Sequence, residues 1–180
     1  MPETRPPLDV AGMSLPEIVA ALAERRLPPV DQWHPTHCGD SGMRIARDGT
    51  WFHDGGPIRR EAMVRLFSTV LRREADGSHV LVTPVEKLAI EVELAAFVAI
   101  AMTAEGDGPE RRIAFSLNSG DAVMLGADHG LRMVEGVPLL GVSGGLEASL
   151  SRPVYYEIAE MALADGPGGL WSGGVRFALA

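Results

Sequence analysis

The sequence predicts an α+β fold built from two repeated hairpin-helix-strand halves, preceded by a short N-terminal helix. Three observations predict it. Alternating apolar runs flank Asp48-Gly49, the pairing that supplies a tight hairpin turn, because glycine takes positive φ without strain. Apolar residues at three- and four-residue spacing mark amphipathic helices after residue 57 and after residue 151. Setting Arg60-Glu61-Ala62-Met63-Val64 over Arg152-Pro153-Val154-Tyr155-Tyr156 also brings Asp76-Gly77 close to Asp165-Gly166, the pattern of a divergent duplication. The chain then divides into an N-terminal helix with a Pro-rich lead-in (1–36), a first repeat (37–94) and a second repeat (95–180), with a ligand cleft expected where the repeats meet.

The elements follow in order. Ser14-Leu15-Pro16-Glu17 has the form of a capping box, and Leu15, Ile18, Val19 and Leu22 share one face of a helix running to about Arg26. Pro28, Pro29 and Pro35 withhold backbone donors, so 27–36 is extended, with Trp33 and His34 pinning it. His37 to Gly42 reads as a polar lead-in, and a hairpin follows from Met43 to His53. Pro57 suits a first helical turn, and Met63, Leu66, Phe67, Val70 and Leu71 predict a helix over 58–74 with Arg59, Arg65, Arg72 and Arg73 on a solvated face. Strands are expected at 78–83, 85–92 and 97–103. The second half gives strands at 113–117, 122–125, 130–134 and around 139–142, a helix over 152–163 capped by Ser151, and a closing strand at 175–179.

Charge narrows the function. Acidic residues outnumber basic ones 24 to 16 for a net charge of −8, so the phosphate attraction that drives binding to long nucleic acids is missing. The longest apolar run, Leu94 to Met102, has nine residues against the ~20 a spanning helix needs, so no membrane partner is expected. Residues 1–9 carry prolines and charges rather than a secretory apolar run, and Cys38 is the single cysteine; both fit a cytoplasmic protein.

Several residues are candidates for chemistry. His34, His37, Cys38 and Asp40 are metal ligands by type, but their spacing matches no metal motif, and a polar loop satisfied by its own backbone is the expectation. Cys38 as a nucleophile needs a base and an orienting partner; no signature supplies them, so a buried, inert thiol is expected. Lys87 is the one lysine beside 15 arginines, which singles out its compact ammonium. Arg44, Arg132 and Arg152 lie at element starts or on strands, where a fork of donors can hold a phosphate or carboxylate. The glycine-rich segments 144–145 and 166–169 lack both the P-loop ending and a dinucleotide fingerprint.

The run His37-Cys38-Gly39-Asp40, with Met43 to Trp51, Pro57-Ile58, Arg65-Leu66-Phe67 and Thr83-Pro84-Val85-Glu86-Lys87, resembles a bacterial family catalogued as domain of unknown function 1285. Asn118-Ser119-Gly120-Asp121, His129-Gly130-Leu131-Arg132, Leu146-Glu147-Ala148, Arg152 and Ser172-Gly173 continue the likeness over nearly everything after Pro35, with Gly130 standing where the family pattern has proline. The resemblance implies duplicated α+β halves, the second loosely like a pleckstrin-homology barrel, and suggests a nucleotide-like ligand and a signalling role without an established activity.

The leading expectation is a regulatory or signalling module that binds a small anionic, nucleotide-like ligand. Arg44, Lys87, Arg132 and Arg152 supply charge, while Asp40, Thr83, Glu86, Asn118 and Asp121 add orienting hydrogen bonds. No cofactor is specified. The alternatives are a hydrolase or thiol-dependent enzyme using Cys38 with a histidine, and a protein-interaction adaptor whose partner is another protein.

Overall fold

The computed structural model describes residues 13–24, 28–167 and 169–179, with the side chains of residue 19 and of residues 21–24 left out. The expected end of the first helix at Arg26 and the Leu22 side chain lie outside the described residues. The chain divides into two compact units. The first holds residues 28–96 and 144–146; the second holds 13–24, 97–143 and 147–179.

In the first unit, β1 (His37–Ile45), β2 (Trp51–His53) and β3 (Gly56–Pro57) form a meander. Helix α2 (Glu61–Ser68) leads to β4 (Leu71–Arg73), β5 (His79–Val82) and β6 (Glu86–Val92). The six strands lie in the order β3-β2-β1-β6-β5-β4, with β6 returning parallel to β1 at the centre. Ile45 and Trp51 face each other across the hairpin and are buried, and Trp51 stacks on Phe67 of α2.

The second unit repeats that plan. Strands β7 (Phe97–Glu105), β8 (Arg112–Leu117) and β9 (Ala122–Met124) form a meander, and β10 (Leu131–Val134), β11 (Val137–Gly141) and β12 (Glu147–Leu150) follow. Their order is β10-β11-β12-β7-β8-β9, with β12 parallel to β7. Numbered within its own unit, each sheet reads third, second, first, sixth, fifth, fourth. Each first strand is nine residues long and is irregular near its middle, between Asp40 and Met43 in β1 and between Ala99 and Ala101 in β7. The duplicated halves expected from the sequence are therefore present at the level of strand order.

Helix α1 (Leu15–Glu24) belongs to the second unit, where Leu15 and Ile18 pack with Ala114 and Ala122. Half of the expected capping box forms: the Ser14 amide and hydroxyl both donate to the Glu17 carboxylate (2.7 and 3.0 Å). Glu105 of β7 accepts the Leu15 amide (3.0 Å), satisfying another free donor of the first turn. After β12, helix α3 (Arg152–Ala164) buries Val154 and Ile158, and β13 (Leu170–Ser172) pairs with β14 (Val175–Phe177) to close the chain.

The structure corrects five local expectations. The helix over 58–74 shrinks to α2, because Ser68 and Thr69 turn their hydroxyls onto the carbonyls of Val64 and Leu66 (both 2.6 Å), and Leu71 then pairs with Leu81 as strand. Pro57 lies in β3 rather than in a helical turn. His37 to Gly42 is strand, held in register by β6. Ser151 stands at the N-cap of α3, but its hydroxyl makes no capping bond. Finally, α2 and α3 are not equivalent helices, since α2 joins the third and fourth strands of its unit while α3 follows the sixth strand of the other.

Candidate functional site

Asp40 and Thr83 spend their polar side chains on the fold, while Glu86 contributes only its backbone to the turn before β6. Asp40 sits before the irregularity of β1, where residues 41 and 42 have no partner in β6. Its carboxylate accepts the Gly42 amide (2.7 Å), Ser41 donates to the Ala89 carbonyl (2.7 Å), and Gly42 adopts φ 66°. Thr83 is a turn residue whose hydroxyl accepts the amides of Val85 and Glu86 (3.3 and 3.2 Å), which starts β6 at Glu86. Lys87 lies 3.9 Å from Glu74.

Arg44 is engaged on two sides. Its Nη1 donates to Glu93 (2.6 Å) while its guanidinium carbon stands 4.4 Å from the centroid of Phe52. An open cavity of about 470 Å³ borders Arg44 and Phe52, and the same cavity is lined by the carboxylates Asp40 and Glu91. With Arg44 paired to Glu93 through Nη1 and two carboxylates in the lining, this surface is poorly suited to an anion.

In the second unit Asn118 is also structural. Its side-chain oxygen accepts the Val98 amide (2.9 Å) and its own amide donates to the Val98 carbonyl (2.9 Å), locking the β8–β9 turn to β7. Asp121 belongs to the same turn, where it accepts from the Ser119 hydroxyl (3.3 Å). Arg132 on edge strand β10 makes a two-point pair with Glu147 of β12 (2.6 and 2.7 Å), which holds the guanidinium in its charged form beyond its ordinary range.

Arg152 differs from the other three cations. It occupies the first position of α3, is exposed, and has no hydrogen bond or ion pair among the described residues. It borders a cavity of about 290 Å³ with Tyr155 and Tyr156 of α3, Leu150 at the end of β12, and Gly136, Val137 and Pro138 at the β10–β11 turn. The turn approaches because Glu135 and Gly136 take φ 49° and 80°, reversing the chain in two residues. The two tyrosine rings are 6.0 Å apart and inclined at 59°, forming an aromatic notch beside the guanidinium. They are 39% and 59% exposed, unusual for aromatic rings of this size.

These tyrosines are the members of the site that sequence reasoning missed. The signal was available: Val154 and Ile158 define the buried face of α3, so Tyr155 and Tyr156, one and two residues on, must point off it.

Cys38 is exposed, not buried as expected, because it lies in the first part of β1, where His37 to Asp40 are all exposed. Its thiol donates to the Thr36 carbonyl (3.8 Å) and has no histidine partner among the described residues. Among the described residues no three His, Cys, Asp or Glu side chains converge to hold a metal ion. No described helix is long and apolar enough to cross a membrane. Arg72 is also corrected: far from a solvated helix face, it lies on β4 and makes four hydrogen bonds, to the carbonyls of Val30 and Trp33 and to Glu74.

Comparison with known proteins agrees with the two-unit division. Residues 28–95 match the N-terminal domain of a family described as a domain of unknown function, DUF1285, and residues 96–179 match its C-terminal domain. The chain is similar to a crystal structure of a DUF1285 family protein from Silicibacter pomeroyi DSS-3, at 39% identity and TM-score 0.80, covering 90% of this chain and 93% of that one. A DUF1285 family protein from Shewanella baltica OS155 shares the fold at 23% identity and TM-score 0.54, over 68% of this chain and 94% of its own. No curated protein matches the chain.

Proposed function

The chain belongs to the DUF1285 family, and we propose that it acts as a regulatory binding module whose second unit takes up a small anionic ligand at Arg152. One observation carries the reading. Of the four cations that the sequence nominates, Arg44 and Arg132 hydrogen-bond Glu93 and Glu147 and Lys87 lies 3.9 Å from Glu74, whereas Arg152 lines a cavity with no side-chain partner among the described residues. A guanidinium presents paired donors in one plane, the geometry that a carboxylate or phosphate accepts. A nucleotide-like molecule belongs to this class because it joins an anion to a planar ring.

Binding to the folded state raises the melting temperature, by a stabilisation that grows as RT ln(1 + L/Kd), where L is the free ligand concentration. A panel of carboxylates, phosphates and nucleotides at millimolar concentration is expected to stabilise the protein, and Arg152→Ala is expected to abolish the shift. A flat response across the panel, or an equal shift in Arg152→Ala, removes this reading.

A further inference from the structure

The chemistry around Arg152 also restricts the class of anion. We infer that the site takes a small aryl anion, one carboxylate or one phosphate carried on a single aromatic ring, an inference that rests on the binding role proposed for Arg152.

Charge sets the first restriction. Arg152 is the only cation lining the cavity among the described residues. One guanidinium matches one carboxylate or phosphate, and a second phosphate on the same ligand meets no cation in the lining. The protein's net charge of −8 adds repulsion against every further negative charge.

The remaining walls set the second. Leu150, Val137 and Pro138 are apolar, and the Tyr155 and Tyr156 rings stand at 59° to one another. A flat apolar group can lie on one ring face while meeting the edge of the other, the two arrangements aromatic pairs prefer. A purely inorganic anion leaves this notch in water and gains nothing from it.

Size sets the third. The cavity measures about 290 Å³. Pockets that enclose drug-sized ligands begin at about 300 Å³. One ring with one anionic group fills that space, whereas most of a dinucleotide lies beyond its walls in solvent.

Calorimetric titration of the full chain with matched probes tests the inference. Benzoate is compared with acetate, phenyl phosphate with inorganic phosphate, and ADP serves as the polyanion. The ring is expected to tighten binding about tenfold within each pair, from the apolar area it removes from water. ADP is expected to bind no more tightly than phenyl phosphate, and Arg152→Ala to lose both aryl probes. Tyr156→Ala is expected to erase the difference within each pair while leaving the weak acetate and phosphate binding intact. Equal affinities within the pairs overturn the aryl assignment but leave the anion site standing. Tighter binding of ADP overturns the single-anion assignment, and binding of no probe overturns both the inference and the binding role beneath it.

Discussion

Arg111 and Asp165 form a two-point ion pair, Nη1 to Oδ2 at 2.6 Å and Nη2 to Oδ1 at 2.9 Å, with their side chains only 10% and 6% exposed. The pair sits at the root of the β13–β14 hairpin. Asp165 also accepts the Trp171 amide (3.1 Å), and the Arg111 carbonyl accepts the Gly173 amide (2.8 Å), so β13 and the turn that follows it are tied to these two residues.

The hydrogen-bonded Arg111 guanidinium holds the Asp165 carboxyl below its ordinary value, against a burial effect that pulls it upward. The folded value therefore lies below the unfolded one. The stabilisation is complete above about pH 4, the unfolded value, and is lost as pH falls through the folded one. Urea unfolding is expected to show stability declining below pH 4 in the wild type and declining less in Asp165→Asn. At pH 7 the same substitution is expected to cost about 3–5 kcal/mol by leaving a buried arginine unpaired. The double variant Arg111→Met, Asp165→Leu is expected to cost less than Asp165→Asn alone. An Asp165→Asn protein as stable as the wild type contradicts this role.

Arg72 is expected to matter in a way its place in an arginine-rich run conceals. Arg72→Ala removes the donors to Val30, Trp33 and Glu74, which loosens the lead-in segment from β4. The expected loss is about 2 kcal/mol. Arg72→Lys is expected to recover only part of it, since an ammonium cannot span three acceptors in one plane. Arg59→Ala, by contrast, is expected to change the unfolding midpoint negligibly; an equal effect of the two alanine variants argues against the tie.

Strand positions and the Ser14–Glu17 pair show how far local pattern reached. Period-two alternation marked most strands, and Ser14 with Glu17 announced α1 outright. The stretch 69–73 misled because Val70 and Leu71 continue the helical spacing of Met63, Leu66 and Phe67, while what ends the helix is a pair of hydroxyl-to-carbonyl bonds and a strand partner at Leu81. Strand β12 escaped for a related reason. Ala148 to Leu150 pairs in parallel with Phe97 to Ala99, a contact about 50 residues away in the chain that no local pattern encodes. The candidate site was legible as a set of cations. Which cation is uncommitted depends on Glu74, Glu93 and Glu147, and their positions come only from the fold.

Cys38 is expected to react as a surface thiol. One equivalent of a maleimide should label the folded protein without denaturant, and Cys38→Ser should keep both the melting temperature and the response to anions. Labelling that requires unfolding contradicts the exposed position on β1.

Amide chemical-shift mapping with phenyl phosphate tests the central claim most directly, because it reads where the anion sits. The account predicts saturable shifts concentrated at residues 136–137, 150, 152 and 154–156, retained in Arg132→Ala and lost in Arg152→Ala. Shifts centred on Asp40, Arg44 and Lys87, or no saturable shifts in the second unit, contradict it.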